Sequence, residues 1–288
     1  MILARMLGMS LRRTGIALAS LVLLASGVTA ASPPAQAAAT VPAFDHIVLV
    51  MFENKAASQI TASSASYFAS LAAQGATFTQ SYAITHPSQP NYIALFSGST
   101  QGVTNDDCPK TFTTGNLGAQ LIAAGRTFKG YSEAMPSDGY TGCSSGTYRR
   151  KHNSWVDFST VPAAGNVRYS TFPADYSQLP TVSFVSPDMC NDMHDCSIAT
   201  GNTWLKNNLD GYAQWAKTHN SLLIVTFDED NYLALNRIHT TFVGANVKVG
   251  SYSTKINHYT VLRTIEAAYG LPALGGAAGV SPITDVWQ

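Results

Sequence analysis

Asp228-Glu229-Asp230-Asn231 follows directly on the apolar run Leu222–Phe227. Three adjacent carboxylates repel one another unless water or a cation screens them. Such a run reads as a solvated acidic turn or, straight after a buried strand, as a set of hard oxygen ligands for a metal. Glu53-Asn54 stands in the same relation to the run Ile47–Phe52. It reads as a second metal corner or as a helix start capped by Asn54. A third run, Thr181–Val185, leads into Ser186–Cys196, where Asp192 and His194 lie between Cys190 and Cys196. A staple there would hold both side chains for a ligand, or would tie down a surface loop with a free histidine. Lys151-His152-Asn153 is a polar knot whose Lys and His suit contacts to phosphate or to a leaving group. His258 stands just before the last helical pattern, and His46, Tyr82, His86, His219 and His239 read as structural or surface groups.

Ser88 completes the set. It lies in THPSQPNYIALFSG, Thr85 to Gly98, between Pro87 and Pro90 and ahead of a helical run through Tyr92, Ile93, Leu95 and Phe96. The turn reads as loop punctuation or as the mount of a nucleophile. Free N–H groups and the helix dipole favour an anion at a helix N-terminus. A hydroxyl there, beside a divalent cation, is readily deprotonated and can attack phosphorus.

The elements that must position these groups are legible as patterns. The three apolar runs are short, β-branched and nearly continuous, as in strands buried on both faces of a parallel sheet. Helical patterns cover Tyr67–Gln74 before Gly75, Asn116–Ala124 before Gly125, Thr203–Thr218, and Tyr259–Tyr269 before Gly270. Strands alternating with helices predict an α/β fold, an α/β/α sandwich with a mostly parallel central sheet. In such sheets the site collects at the carboxyl ends of the strands, where the acids stand.

The chain of 288 residues opens with Arg5, Arg12 and Arg13, an apolar run from Ile16 to Ala30 and the A-x-A pattern Ala35-Gln36-Ala37. This predicts a secretory signal peptide over 1–37 rather than a stable membrane anchor, and a secreted product. Residues 38–288 would form a single catalytic domain, since no linker, low-complexity tract or repeat divides them. The full chain has 17 Lys+Arg and 17 Asp+Glu; losing the leader's three Arg leaves 17 − 3 basic against 17 acidic, near −3. That balance offers no basic stripe for nucleic acid. Cys108, Cys143, Cys190 and Cys196 all follow the leader. An even count in an exported chain predicts disulfides. Three pairings are allowed, and proximity favours Cys108–Cys143 and Cys190–Cys196. No CxxC supports a zinc finger.

Taken in order, these motifs resemble the bacterial phosphoesterase family of secreted acid phosphatases and non-haemolytic-type phospholipases C, within the alkaline phosphatase superfamily. The matching residues are Glu53-Asn54 after a strand, the turn Ser88-Gln89-Pro90-Asn91, Asp228-Glu229 after a later strand, and His258 before a helix. The resemblance runs from Phe44 to Trp287. It implies a covalent phospho-enzyme on Ser88, with Glu53, Asn54, Asp228 and Glu229 holding a divalent metal together with Ser88 as a further ligand. It implies Asp192, His194 and His258 across the phosphate, as further ligands or acid–base groups, and Asn91, Lys151 and His152 as substrate contacts. Two-metal members carry more histidine and commonly place one after the late Asp, where this chain has Glu229-Asp230. One metal is therefore expected, with Ca²⁺, Mg²⁺, Mn²⁺ and Zn²⁺ all admissible.

The implied activity is phosphoric ester hydrolysis on small-molecule phosphomonoesters by a monomer. A phospholipase C or other phosphodiesterase on the same site is the nearest alternative. The chain has neither the long C-terminal extension of the larger phospholipases nor an evident hydrophobic lid, which favours soluble monoesters. A serine esterase would need a G-x-S-x-G elbow, which is missing. A sugar-binding module would leave the acids at three strand ends without a reason.

Overall fold

A computed structural model describes residues 40–288; the leader expected over 1–37 lies outside the described residues. Eight strands form one sheet: β1 His46–Phe52, β2 Ala76–Phe78, β3 Phe128–Ser132, β4 Asn166–Arg168, β5 Val182–Ser186, β6 Ser221–Phe227, β7 Thr241–Gly244 and β8 Gly250–Tyr252. Their order across the sheet is β8-β2-β7-β6-β1-β5-β3-β4. Only β7 runs against its neighbours; all the other pairings are parallel. The expected mostly parallel α/β architecture is the one observed. The three runs read from the sequence are the centre of the sheet, and all seven residues of β6 are buried.

Alternation along the strands divides the core in two. Ile47, Leu49 and Met51 of β1, with Leu222 and Ile224 of β6, face a cluster that holds Ile93 and Phe96, Leu121, Leu262 and Ile265. These belong to helices α2 Ser88–Ser97, α3 Leu117–Ala123 and α5 His258–Ala268. Val48, Val50 and Phe52, with Val225 and Phe227, face Phe68 and Leu71 of α1 Ser66–Ala72 and Leu205, Leu209 and Tyr212 of α4 Ile198–Ala216. Helices thus cover both faces of the sheet. Each fully buried Leu, Ile or Phe contributes about 1.5–3 kcal/mol, so the layers are held by area rather than by any one contact.

Helix boundaries follow local chemistry. Asn116 caps α3 by accepting from the Ala119 N–H, and Asn257 caps α5 by accepting from the Thr260 N–H. Ser197 caps α4, which therefore starts before the expected Thr203. All ten residues of α2 are buried, so this helix carries no solvent stripe. It ends at Gly98, with φ of 71°. A Cβ at Gly98 would lie 2.1 Å from the Leu274 carbonyl oxygen, so the position needs glycine for backbone conformation and for space.

Register brings the chemistry together. Phe52 pairs with Phe227, and Val50 with Val185. The residues that follow β1 and β6, Glu53 and Asp228, emerge level with each other, and the Asp228 N–H donates to the Phe52 carbonyl at 2.9 Å. The Glu53 N–H donates to the Asp192 carbonyl at 2.8 Å, tying in the loop after β5. Disulfides Cys108–Cys143 and Cys190–Cys196 are both formed, as proximity suggested.

Candidate active site

Ser88 is the first residue of α2, inside the helix rather than ahead of it, and is 2 % exposed. Its Oγ donates to Glu53 Oε2 at 3.0 Å and lies 3.2 Å from Glu229 Oε1. The turn before it is stapled by Asn91. The Asn91 Oδ1 accepts from the Ile84 and Thr85 N–H groups, and its Nδ2 donates to the Thr85 and Pro87 carbonyls. The Asn91 amide is thus spent on backbone and holds Ser88 in place.

Glu53 is the hub. Its Oε1 accepts from the Tyr92 hydroxyl at 2.6 Å, and its Oε2 accepts from Asn54 Nδ2 at 3.0 Å. Asn54 adopts the left-handed conformation, φ 56°, and its N–H donates to Asp228 Oδ1 at 3.0 Å. It turns the chain sharply at the strand end and caps no helix. The other oxygen of Asp228, Oδ2, is buried without a partner. Burial raises the pKa of Glu53 to about 8, with Asp228 adding to it. Burial and then Glu229 raise Asp228 to about 8, and burial and then Glu53 raise Glu229 to about 8. Three carboxyls this close ionise together only if a positive charge joins them.

His152 lies beside Glu53 as well. Its Nε2 is 3.0 Å from Glu53 Oε1 and its Nδ1 is 3.1 Å from Asp192 Oδ2. Both contacts are close but poorly aligned, and His152 Nε2 and Asp192 Oδ2 have no hydrogen-bond partner. Burial lowers the His152 pKa to about 4, outweighing Glu53, and burial raises that of Asp192. Glu53, His152 and Asp192 each offer a donor atom within 4.8 Å of the others, a candidate metal-binding triad. Buried, unpartnered donor atoms of this chemistry fit a divalent cation. His152, expected at the substrate, is thus brought to the ligand cluster.

The remaining expected residues are spread around this hub. Lys151 Nζ donates to Asp106 Oδ2 at 2.7 Å, and the other Asp106 oxygen accepts from the Gln89 N–H at the start of α2. Burial opposes the Lys151 charge, but Glu53 and Asp106 outweigh it and the pKa is raised. His194 is at the rim, its side chain 28 % exposed and bonded to Asp195 Oδ1 at 2.7 Å. His258 is buried behind Asp228, its Nε2 bonded to the Asp228 carbonyl at 2.7 Å, and burial lowers its pKa to about 4. Its ring braces the strand end. Asp230, counted with the acids in the sequence, spends its carboxylate on the Tyr232, Ala234 and Asn236 N–H groups.

Three neighbours were not singled out from sequence. His86, read as structural or surface, has Nδ1 2.6 Å from Glu229 Oε2 and Nε2 3.2 Å from Asp230 Oδ1. Its place two residues before Ser88, in a proline-fixed turn, was the available signal. Tyr92 lies one helical turn after Ser88 and so shares its face. Asp106 carries no local signal.

This geometry agrees with the comparisons. A model described as the phosphoesterase family matches residues 56–272. The chain belongs to the phosphoesterase family. It is 50% identical over 269 residues to the phosphatidylinositol-3-phosphatase of Mycobacterium tuberculosis (strain ATCC 25618 / H37Rv), covering 92% of this chain and 90% of the relative. It is 35% identical to the phosphate-repressible acid phosphatase of Penicillium chrysogenum, over 71% of this chain and 54% of that one. It thus spans about half the length of that fungal relative. Among solved structures, a protein in the alkaline phosphatase superfamily from Vibrio parahaemolyticus superposes with a TM-score of 0.59 at 11% identity, over 85% of this chain and 72% of that one. Murine ectonucleotide pyrophosphatase/phosphodiesterase 5 gives 0.56 at 11%, over 84% and 100%. Both share the fold. The family and its phosphatase relatives make this phosphoesterase a phosphoric ester hydrolase.

Proposed function

We propose that the protein is an exported, metal-dependent phosphomonoesterase that works through a phosphoserine on Ser88. The observation that carries this reading is the position of the Ser88 hydroxyl, between Glu53 and Glu229 at the buried start of α2. The cation would be held by Glu53 with Asn54, Asp228 and Glu229, and His152 and Asp192 would extend the donor set on the other side of Glu53. Bound there, it would supply Lewis-acid charge to a phosphoryl oxygen and favour the Ser88 alkoxide.

The chain's own groups account for the rest. The Ser88 proton has a path through Glu229 to His86 Nδ1. Ser88 Oγ bonds to phosphorus as the bond to the leaving oxygen breaks, and that oxygen takes a proton from His194 or from water. Lys151, held by Asp106, neutralises phosphate charge. Water then attacks the phosphoserine and restores the hydroxyl. His258 is retained as a positioning residue for Asp228.

A monoester is favoured over a diester because both curated relatives carry phosphatase names. The first of these names a phosphoinositide, so phosphatidylinositol 3-phosphate joins small soluble monoesters as a candidate substrate. Two disulfides support export to an oxidising compartment. The test compares p-nitrophenyl phosphate, its bis-ester and phosphatidylcholine, each with and without EDTA, followed by metal analysis. EDTA-sensitive hydrolysis of the monoester first is expected; faster cleavage of either diester, or full activity in EDTA with no bound metal, contradicts the reading.

A further inference from the structure

The loop that leaves β6 exposes apolar surface at the mouth of the site. Tyr232 is 64%, Leu233 84% and Leu235 94% exposed, three of the five large hydrophobic side chains exposed among the described residues. Isolated exposed leucines are ordinary, but a contiguous set marks a contact surface. This one is built. Asp230 accepts from the Tyr232, Ala234 and Asn236 N–H groups, at 2.7, 2.7 and 3.0 Å. Asn236 returns the contact to the Asp230 N–H and reaches the Thr85 carbonyl of the nucleophile turn. Tyr232 and Leu235 are held at φ of 67° and 55°, a region that favours glycine. A carboxylate knot thus fixes the backbone that carries the leucines out into water.

The loop is continuous with the catalytic wall. Tyr232 stacks on His86 at 3.9 Å between ring centroids, and His86 contacts Glu229. At the base of the loop stand exposed Arg237 and Lys255. Arg237 bridges to Tyr82 through backbone, and Lys255 Nζ lies 5.1 Å over the same Tyr82 ring. Neither cation is in an ion pair among the described residues. Apolar tips above a basic base match the layering of an anionic lipid surface.

We propose that residues 232–235 form an interfacial loop that seats the active-site mouth on an anionic lipid surface. The proposal rests on the phosphomonoesterase reading of the same site and extends it to esters carried in a membrane. It also departs from the sequence expectation of no hydrophobic lid, because Tyr232-Leu233-Ala234-Leu235 is too short a run to stand out.

The test uses sedimentation with vesicles of phosphatidylcholine, with and without phosphatidylserine. The intact protein should sediment with the mixed vesicles in preference to the neutral ones. Leu233→Ser with Leu235→Ser should weaken that partitioning at least about tenfold. Its hydrolysis of p-nitrophenyl phosphate should stay within about twofold, since neither leucine touches the carboxylate cluster. The pair Leu233→Met and Leu235→Met should retain binding, and the single serine variants carry the test if the double variant does not fold. Unchanged partitioning of the serine variants, or a parent protein that sediments with neither vesicle, overturns the proposal. A parent that binds vesicles through its leucines but leaves p-nitrophenyl phosphate intact overturns only the catalytic reading.

Discussion

Removing the divalent cation should make the folded protein lose stability as pH rises. In the cation-free protein, burial and mutual repulsion lift Glu53, Asp228 and Glu229 to about 8. The unfolded chain releases the same protons in the ordinary carboxylate range. Between the two, the folded state binds more protons than the unfolded state, so the unfolding free energy falls with rising pH. For Glu53 alone, the change from 4.5 to about 8 is worth about 5 kcal/mol when complete, at roughly 1.4 kcal/mol per tenfold in proton affinity. The three acids repel one another, so their contributions overlap and this value serves as the scale for the cluster. A bound cation keeps them ionised and removes the penalty. The assay is thermal unfolding at about pH 5 and about pH 8, in EDTA and after adding Ca²⁺, Mg²⁺, Mn²⁺ or Zn²⁺ in turn. At least one ion should raise the Tm by about 10 °C at the higher pH, and by much less at the lower, taking about 2–4 °C per kcal/mol for a chain of this size. Comparing the two states at each pH cancels titrations outside the site. A cation effect equal at both pH values, or absent for every ion, refutes the account of the cluster.

Other substitutions test its parts. His86→Ala should lower kcat about 100-fold with little change in KM, because the proposed path takes the Ser88 proton through Glu229 to His86; a rise in KM at constant kcat contradicts that role. Replacing Cys190 and Cys196 by Ser opens a staple with a separation of 6 residues. It should cost about 2 kcal/mol and weaken cation affinity about tenfold by freeing Asp192, measured by denaturation and metal titration. Gly98→Ala should destabilise the fold by about 1–3 kcal/mol, since it places a Cβ against the Leu274 carbonyl at positive φ. The folded fraction should keep normal kinetics, because the change lies at the far end of α2 from Ser88.

What could be read from the sequence follows from how each feature is encoded. The central strands are buried on both faces, so nearly continuous apolar runs announced β1, β5 and β6 together with the acids at their ends. Strands β2, β4 and β8 have three residues each. They are too short to carry a period, and they owe their place to register with neighbours. Ser88 and its turn were legible because proline and a helical pattern stand together in the chain. The pairing of His152 with Glu53 and Asp192 was not, because it is made by the fold across distant segments. Asn91 and His258 show the converse: residue type suggested chemistry, while their hydrogen bonds go to backbone carbonyls and N–H groups. A buried polar side chain near a site must satisfy itself first, and only coordinates reveal with what.

The nucleophile can be identified directly. Acid quenching during turnover of p-nitrophenyl phosphate, followed by peptide mapping, reads where the phosphoryl group sits. Phosphoserine at Ser88 is expected, lost together with activity in Ser88→Ala. Phosphate on a different hydroxyl, or near-normal turnover by Ser88→Ala, would contradict it.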